Sequence, residues 1–187
     1  MTRIIGGRYK GRTLITPPGR ATRPTAARTR EALFNILAHQ TPDRLTGARV
    51  LDLFAGSGAL GFEALSRGAG FCLFVDNDMA ARGVIRDNIE ALGLFGQTRL
   101  HRRDAAALGR RPAALGAPFD LVFLDPPYGQ GLGEQALSSL KNDGWLTDEA
   151  LAVFECGAGE NPDVPDWTVL DTRRYGAAKV LFLQMAS

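Results

Sequence analysis

Residues 123–130 read FLDPPYGQ, and they bring together a carboxylate, a rigid corner and an aromatic ring. The run Leu121-Val122-Phe123-Leu124 has the composition of a buried strand, and Asp125 ends it. Pro126 and Pro127 offer no N–H to a ladder, so the strand cannot continue through them. One chemistry that suits this corner is transfer to an exocyclic nucleobase amine. That nitrogen is a poor nucleophile because its lone pair is delocalised into the ring. If the Asp125 carboxylate and the Pro126 carbonyl accept its two N–H groups, the nitrogen can pyramidalise and aim its lone pair at an electrophilic carbon. Pro127 helps fix the corner, and Tyr128 can stack on the extruded base, which is worth ~1–3 kcal/mol. Catalysis of this kind is alignment plus electrostatics. Taken alone, an Asp-Pro-Pro-Tyr string fits a strand-ending turn equally well.

A second constellation precedes it. DLFAGSGALG places Gly56, Gly58 and Gly61 in glycine-x-glycine-x-x-glycine spacing, with strand before and helix after. Asp76 follows Gly56 by twenty residues and closes the next strand, where it can bind ribose hydroxyls. The glycines alone would equally fit a nicotinamide or flavin enzyme. Asp52 argues against a pyrophosphate in the turn and suits a ligand with a cationic centre and an ammonium, such as S-adenosylmethionine. Asp104, closing the third strand of this series, can meet an adenine amino group. Asp52, Gly56, Gly58, Asp76 and Asp104 are therefore candidate cofactor contacts, and their chain neighbours Phe54, Ala55, Ser57, Asn77 and Ala105 are expected beside them. Asp52, Asp76, Asp104 and Asp125 all close strands of one parallel series, the rim at which open α/β sheets bind ligands.

The elements that must position these residues alternate along the chain. Strands are expected at RVLDLF, FCLFVD, TRLHRRD, FDLVFLD and LAVFE. Amphipathic helices are expected at GALGFEALSRG, MAARGVIRDNIEALG and GEQALSSL, and WTVLDTRRYGAAKVLFLQ reads as a closing strand pair. Such alternation implies a mostly parallel sheet covered on both faces, with an antiparallel edge. Ahead of it, RIIGGRYKGRTLITPPG reads as a small hairpin or arm, and a helix begins near Thr25.

Charge separates the two parts. Residues 1–44 carry nine basic side chains against Glu31 and Asp43, a net of +7, whereas the other 143 residues carry 13 basic and 18 acidic groups, a net of −5. A basic arm on an acidic body implies a polyanionic partner, although arginine outnumbers lysine 19 to 3 throughout. At 187 residues the chain suits one domain with a short appendage. Nothing approaches the ~18–20 apolar residues of a membrane span, and the N-terminus lacks a secretory pattern. Cys72, Cys156, His39 and His101 lack metal-ligand spacing. Buried, reduced thiols in a cytoplasmic protein are expected, with no metal and no membrane partner.

With these residues assembled, the chain resembles the RsmD family of bacterial small-subunit ribosomal RNA guanine-N2 methyltransferases. RIIGGRYKGRTL…PPG…TRPTAARTREALFNIL is similar to the family's arm and first helix. LDLFAGSGALGFEALSRGA is similar to its cofactor turn, VDND to its ribose acid and LDPPY to its catalytic corner. FE at 154–155 and RRYGAAKVLFL are similar to its last strands. The resemblance implies a Rossmann-like class I methyltransferase: an α/β fold with a mostly parallel seven-stranded sheet, an antiparallel edge strand and a small N-terminal hairpin and helix. It implies residues 1–44 as an RNA-binding arm and 45–187 as the methyltransferase domain, acting as a monomer. It further implies S-adenosylmethionine as cofactor and a guanine of 16S ribosomal RNA, within an assembled or assembling 30S particle, as substrate. Arg3, Arg8, Lys10, Arg12, Arg20, Arg23, Arg28 and Arg30 are the expected RNA contacts. The corner's own chemistry leaves guanine and adenine open, so an adenine-N6 DNA methyltransferase and a non-catalytic RNA-binding assembly factor remain alternatives.

Overall fold

The computed structural model describes residues 1–19, 24–40 and 44–186. The arm contains two short antiparallel strands, β1 (Thr2–Arg3) and β2 (Thr13–Leu14), followed by helix α1 (Pro24–Gln40). Proline at the first helical position suits α1, since that N–H has no intrahelical partner. The alternating region then runs β3 (Arg49–Leu53), α2 (Ala59–Ser66), β4 (Phe71–Val75), α3 (Met79–Leu92), β5 (Thr98–His101), β6 (Phe119–Leu124), α4 (Leu132–Asn142), β7 (Leu146–Gly157), β8 (Trp167–Tyr175) and β9 (Ala178–Met185).

These strands form one seven-stranded sheet in the order β5-β4-β3-β6-β7-β9-β8. β3 lies between β4 and β6, so the chain reverses its direction of travel across the sheet between β3 and β6. The pairings from β5 through β7 are parallel. β9 is antiparallel to both β7 and β8, so the reversed strand sits one place inside the edge. β4, sequence FCLFV, shows why the strands hold the middle layer: its last four residues are fully buried, apolar to both faces.

α1, α2 and α3 cover one face through residues such as Phe34, Phe62 and Ile85. α4, with Trp145 and Leu115, covers the other. Ile4 and Leu14 of the arm join the first of these clusters, so the arm shares the main core. α3 is bounded by local chemistry. The Asp78 carboxylate accepts from the Ala80 and Ala81 N–H groups at its start, and Gly93 takes a left-handed φ of 67° at its end.

Two elements depart from the sequence pattern. β7 spans twelve residues where only LAVFE reads as strand, because its first half carries Thr147, Asp148 and Glu149 and pairs at Phe119 before a register shift. β5 stops at His101, so Asp104 does not close a strand but sits in the loop beyond it. There its carboxylate accepts the Ala106 N–H at 2.9 Å, a turn that the apparent strand TRLHRRD conceals.

Buried Glu63 on α2 docks the arm. Its carboxylate accepts the N–H groups of Ile5 and Gly6, each at 2.8 Å, pairs with Arg67 at 2.8 Å and lies 3.8 Å from Arg30. At the next turn Ser66 accepts the Tyr9 N–H through Oγ and the Arg8 N–H through its carbonyl. Gly7, with φ of 76°, passes so close that a Cβ there would lie 1.9 Å from the Ser66 carbonyl oxygen.

Candidate active site

The glycine turn leaves β3 in a strained path. Phe54 adopts a φ of 57°, in the left-handed region that costs a non-glycine residue about 1 kcal/mol or more. Gly56 (φ 58°) and Gly58 (φ 76°) continue the turn. Asp76, immediately after β4, secures it: one carboxylate oxygen accepts the Gly56 N–H at 2.8 Å and the other the Asp78 N–H at 2.8 Å. Gly61 packs against β4 where a Cβ would fall 2.4 Å from Phe74 and 2.6 Å from the Cys72 sulfur, so close helix–strand contact requires glycine.

Two cavities open at these strand ends, of about 500 and 700 Å³. The smaller is lined by Asp76, Asn77, Asp104, Ala105 and residues 125–128. The larger is lined by Asp52, Ala55, Gly56 and Ser57 from the turn and by Thr16, Pro17 and Gly19 from the arm. Phe54, Asp125 and Tyr128 line both, which places the expected catalytic corner between the expected cofactor residues and the arm. Gly58 lines neither; it starts α2 and positions the turn.

The acids are not equivalent. Asp52 is 1% exposed and accepts the Gly61 N–H at 3.0 Å. Burial, reinforced by the nearby Asp125 and Asp76 charges, pushes its carboxyl well above the usual carboxylate range, against the pull of the Gly61 bond. Asp125 is exposed at the cavity wall and Pro126 is buried behind it. The donor set suits an adenosyl ligand: carboxylates at the rim accept from hydroxyl and amino groups, beside the apolar surfaces of Phe54, Ala105 and Leu132.

Sequence reasoning missed four residues that hold this site. The Tyr128 hydroxyl donates to Glu155 at 2.6 Å. Leu124 and Phe154 are register partners, so Glu155 follows at the level of Asp125 on the neighbouring strand. Burial raises the Glu155 carboxyl and the Tyr128 phenol alike, and the bond between them lowers the first while raising the second. Glu160 accepts the N–H groups of Gly129 and Gly157, tying the loop after Tyr128 to the end of β7. Buried Asn88 joins the arm to the glycine turn, since its amide exchanges two hydrogen bonds with the Ile15 backbone and donates to the Ser57 carbonyl. Glu63 is the fourth. Only the FE dipeptide at 154–155 carried any sequence signal.

Among the expected RNA contacts, Arg3, Arg8, Lys10, Arg12 and Arg28 are exposed. Arg20 and Arg23 lie outside the described residues. Arg30 corrects the expectation: it is 6% exposed, donates to the Thr2 hydroxyl and the Arg3 carbonyl, and faces Glu63. Its charge balances a buried carboxylate and does not face solvent.

A switch point flanked by a glycine turn and an acidic strand end, with an Asp-Pro-Pro-Tyr corner beside it, defines a Rossmann-like methyltransferase. The family model described as conserved hypothetical protein 95 matches residues 2–184, and the chain belongs to that family, the RsmD family. The ribosomal RNA small subunit methyltransferase D of Escherichia coli (strain K12) is 41% identical over 169 residues, covering 89% of this chain and 81% of that protein. The protein of the same name from Haemophilus influenzae is 36% identical over 179 residues, covering 93% and 89% respectively. The solved structure of Escherichia coli yhhF matches with a TM-score of 0.83 at 35% identity, covering 100% of this chain and 98% of that one.

Proposed function

We propose that this protein transfers a methyl group from S-adenosylmethionine to the exocyclic N2 amine of a guanine in 16S ribosomal RNA, within an assembled or assembling 30S particle. One observation carries the reading: Asp125 and Tyr128 line the same cavity as the glycine turn and residues Thr16, Pro17 and Gly19 of the basic arm. Relatives named as small-subunit ribosomal RNA methyltransferases, 36–41% identical over most of the chain, support the substrate class.

The cofactor, when bound, supplies an electrophilic methyl on sulfur. The cofactor contacts expected along the strand ends, from Asp52 through Ala105, would hold it, with Asp76 at the ribose and Asp104 near the adenine. Asp125 and the Pro126 carbonyl accept the two amine hydrogens, which localises the nitrogen lone pair and stabilises the positive charge that develops there. The two prolines hold both acceptors at one level. Tyr128, its ring half exposed and its hydroxyl held by Glu155, offers a fixed stacking surface for the extruded base.

The test is methyl transfer from labelled cofactor to 30S particles lacking the modification, compared with naked RNA, followed by mass analysis of the product nucleoside. N2-methylguanosine is expected. N6-methyladenosine would overturn the guanine reading, and no transfer to either RNA substrate would overturn the enzymatic one.

A further inference from the structure

A third cavity, of about 410 Å³, opens away from the active site between α3 and β5, at the outer edge of the sheet. Four arginines line it. Arg82 and Arg86 are four residues apart on α3 and share one helical face, while Arg99 and Arg102 come from β5 and the residues just after it. Phe95 stands among them with 62% of its surface exposed, and no acidic side chain among the described residues lines the opening. This concentration of positive charge stands on the part of the chain whose net charge is −5.

The four cations have different commitments. Arg82 donates to the Asp76 and Asn77 carbonyls, so it braces the turn after β4. Arg86, Arg99 and Arg102 are exposed to solvent. Burial first, then the charges of Arg103 and Arg99, hold the His101 imidazolium below its ordinary value.

The arm and the cavity share helix α3. Arg12 donates to the Ala91 carbonyl of α3 at 2.8 Å, and Asn88 of the same helix holds Ile15. α3 therefore separates two basic surfaces by little more than one helix diameter, ~10–12 Å. Charges on an edge strand also discourage edge-to-edge pairing. That role needs no cation on α3, and an exposed phenylalanine works against it.

We propose that this cavity is a second RNA-contact surface, in which Arg86, Arg99 and Arg102 hold phosphates of a looped or single-stranded segment and a base stacks on Phe95. The inference rests on the reading of RNA as the substrate. Its test compares the wild type, the triple variant Arg86→Ala/Arg99→Ala/Arg102→Ala and Phe95→Ala. RNA binding is measured by anisotropy on a small-subunit RNA fragment across a salt series, and cofactor affinity by calorimetry.

The triple variant should bind RNA more weakly, with the slope of log affinity against log salt reduced by about 2, because each single-strand phosphate contact contributes ~0.7. Phe95→Ala should weaken binding on the order of tenfold with the slope unchanged. Cofactor affinity should not move in either variant. A wild-type slope in the triple variant overturns the proposal, aggregation of that variant included, since aggregation alone would indicate edge protection. A parallel fall in cofactor affinity also overturns it, by showing a structural role. If the wild type itself fails to bind RNA, the substrate reading falls, a result distinct from a variant that matches an RNA-binding wild type.

Discussion

Asp52 and Asp125 stand at the ends of adjacent strands, one closed off from water and the other open to it. The difference assigns them separate work. In the proposed reaction Asp125 meets the substrate amine, so Asp125→Ala should lower kcat/KM by roughly 100- to 1,000-fold. Calorimetry should find cofactor affinity little changed; wild-type turnover would mean that the corner is only a turn. Asp52 is held well above its ordinary value of 3.8 by burial and by two like charges, so the fold favours its neutral form. The stability contributed there is complete below that ordinary value and is lost as pH rises through the raised one. Asp52→Asn keeps an acceptor for the Gly61 N–H and cannot ionise. In thermal melts the variant should therefore gain on the wild type as pH rises above the ordinary carboxylate value of 3.8. A difference in Tm that stays constant across that rise would show that Asp52 ionises in the fold without penalty.

At the level of elements, α2 holds the arm. Glu63 is fully buried and faces Arg30 and Arg67 while receiving two arm N–H groups. Glu63→Gln leaves two guanidiniums without their counter-charge, and breaking a buried pair in this way costs about 3–5 kcal/mol. Chemical denaturation should show a loss of that size, with faster amide exchange in residues 2–14; an unshifted midpoint would place the arm's stability elsewhere. This docking was not visible in the sequence, because the arm N–H groups that Glu63 receives lie 57 and 58 residues away. The sheet was visible, since strands such as FCLFV bury both faces and carry their own signature. So was the glycine turn, whose spacing is local. Glu155, Glu160 and Asn88 act through contacts made only when the strands assemble. Arg30 looked like a phosphate contact for the same reason: its charge is written in the chain, but its burial is decided by β1 and α2. Asp104 lost its place at a strand end because its side chain turns the local backbone.

Over the whole molecule, the +7 arm leans against a −5 body through buried contacts, while Arg8, Lys10 and Arg12 stay exposed. Replacing those three together by alanine should reduce the salt slope of RNA binding by about 2. Cofactor affinity should hold. An unaltered slope, measured by filter binding from low to physiological salt, would show that the arm's charges do not read phosphate.

The sheet also constrains how the chain is made. β9, residues Ala178–Met185, follows every other strand of this sheet in the chain, yet it fills an interior place between β7 and β8. Until it arrives, β8 has no neighbour and β7 presents an open edge. Vectorial folding from the N-terminus can therefore build the glycine turn early, but it must leave a gap in the middle of the far half of the sheet. At ~5–20 residues per second, the stretch from the end of β7 at Gly157 to the end of β9 at Met185 takes a few seconds. For that interval the nascent chain carries an apolar β7 ladder waiting for the strand that closes it.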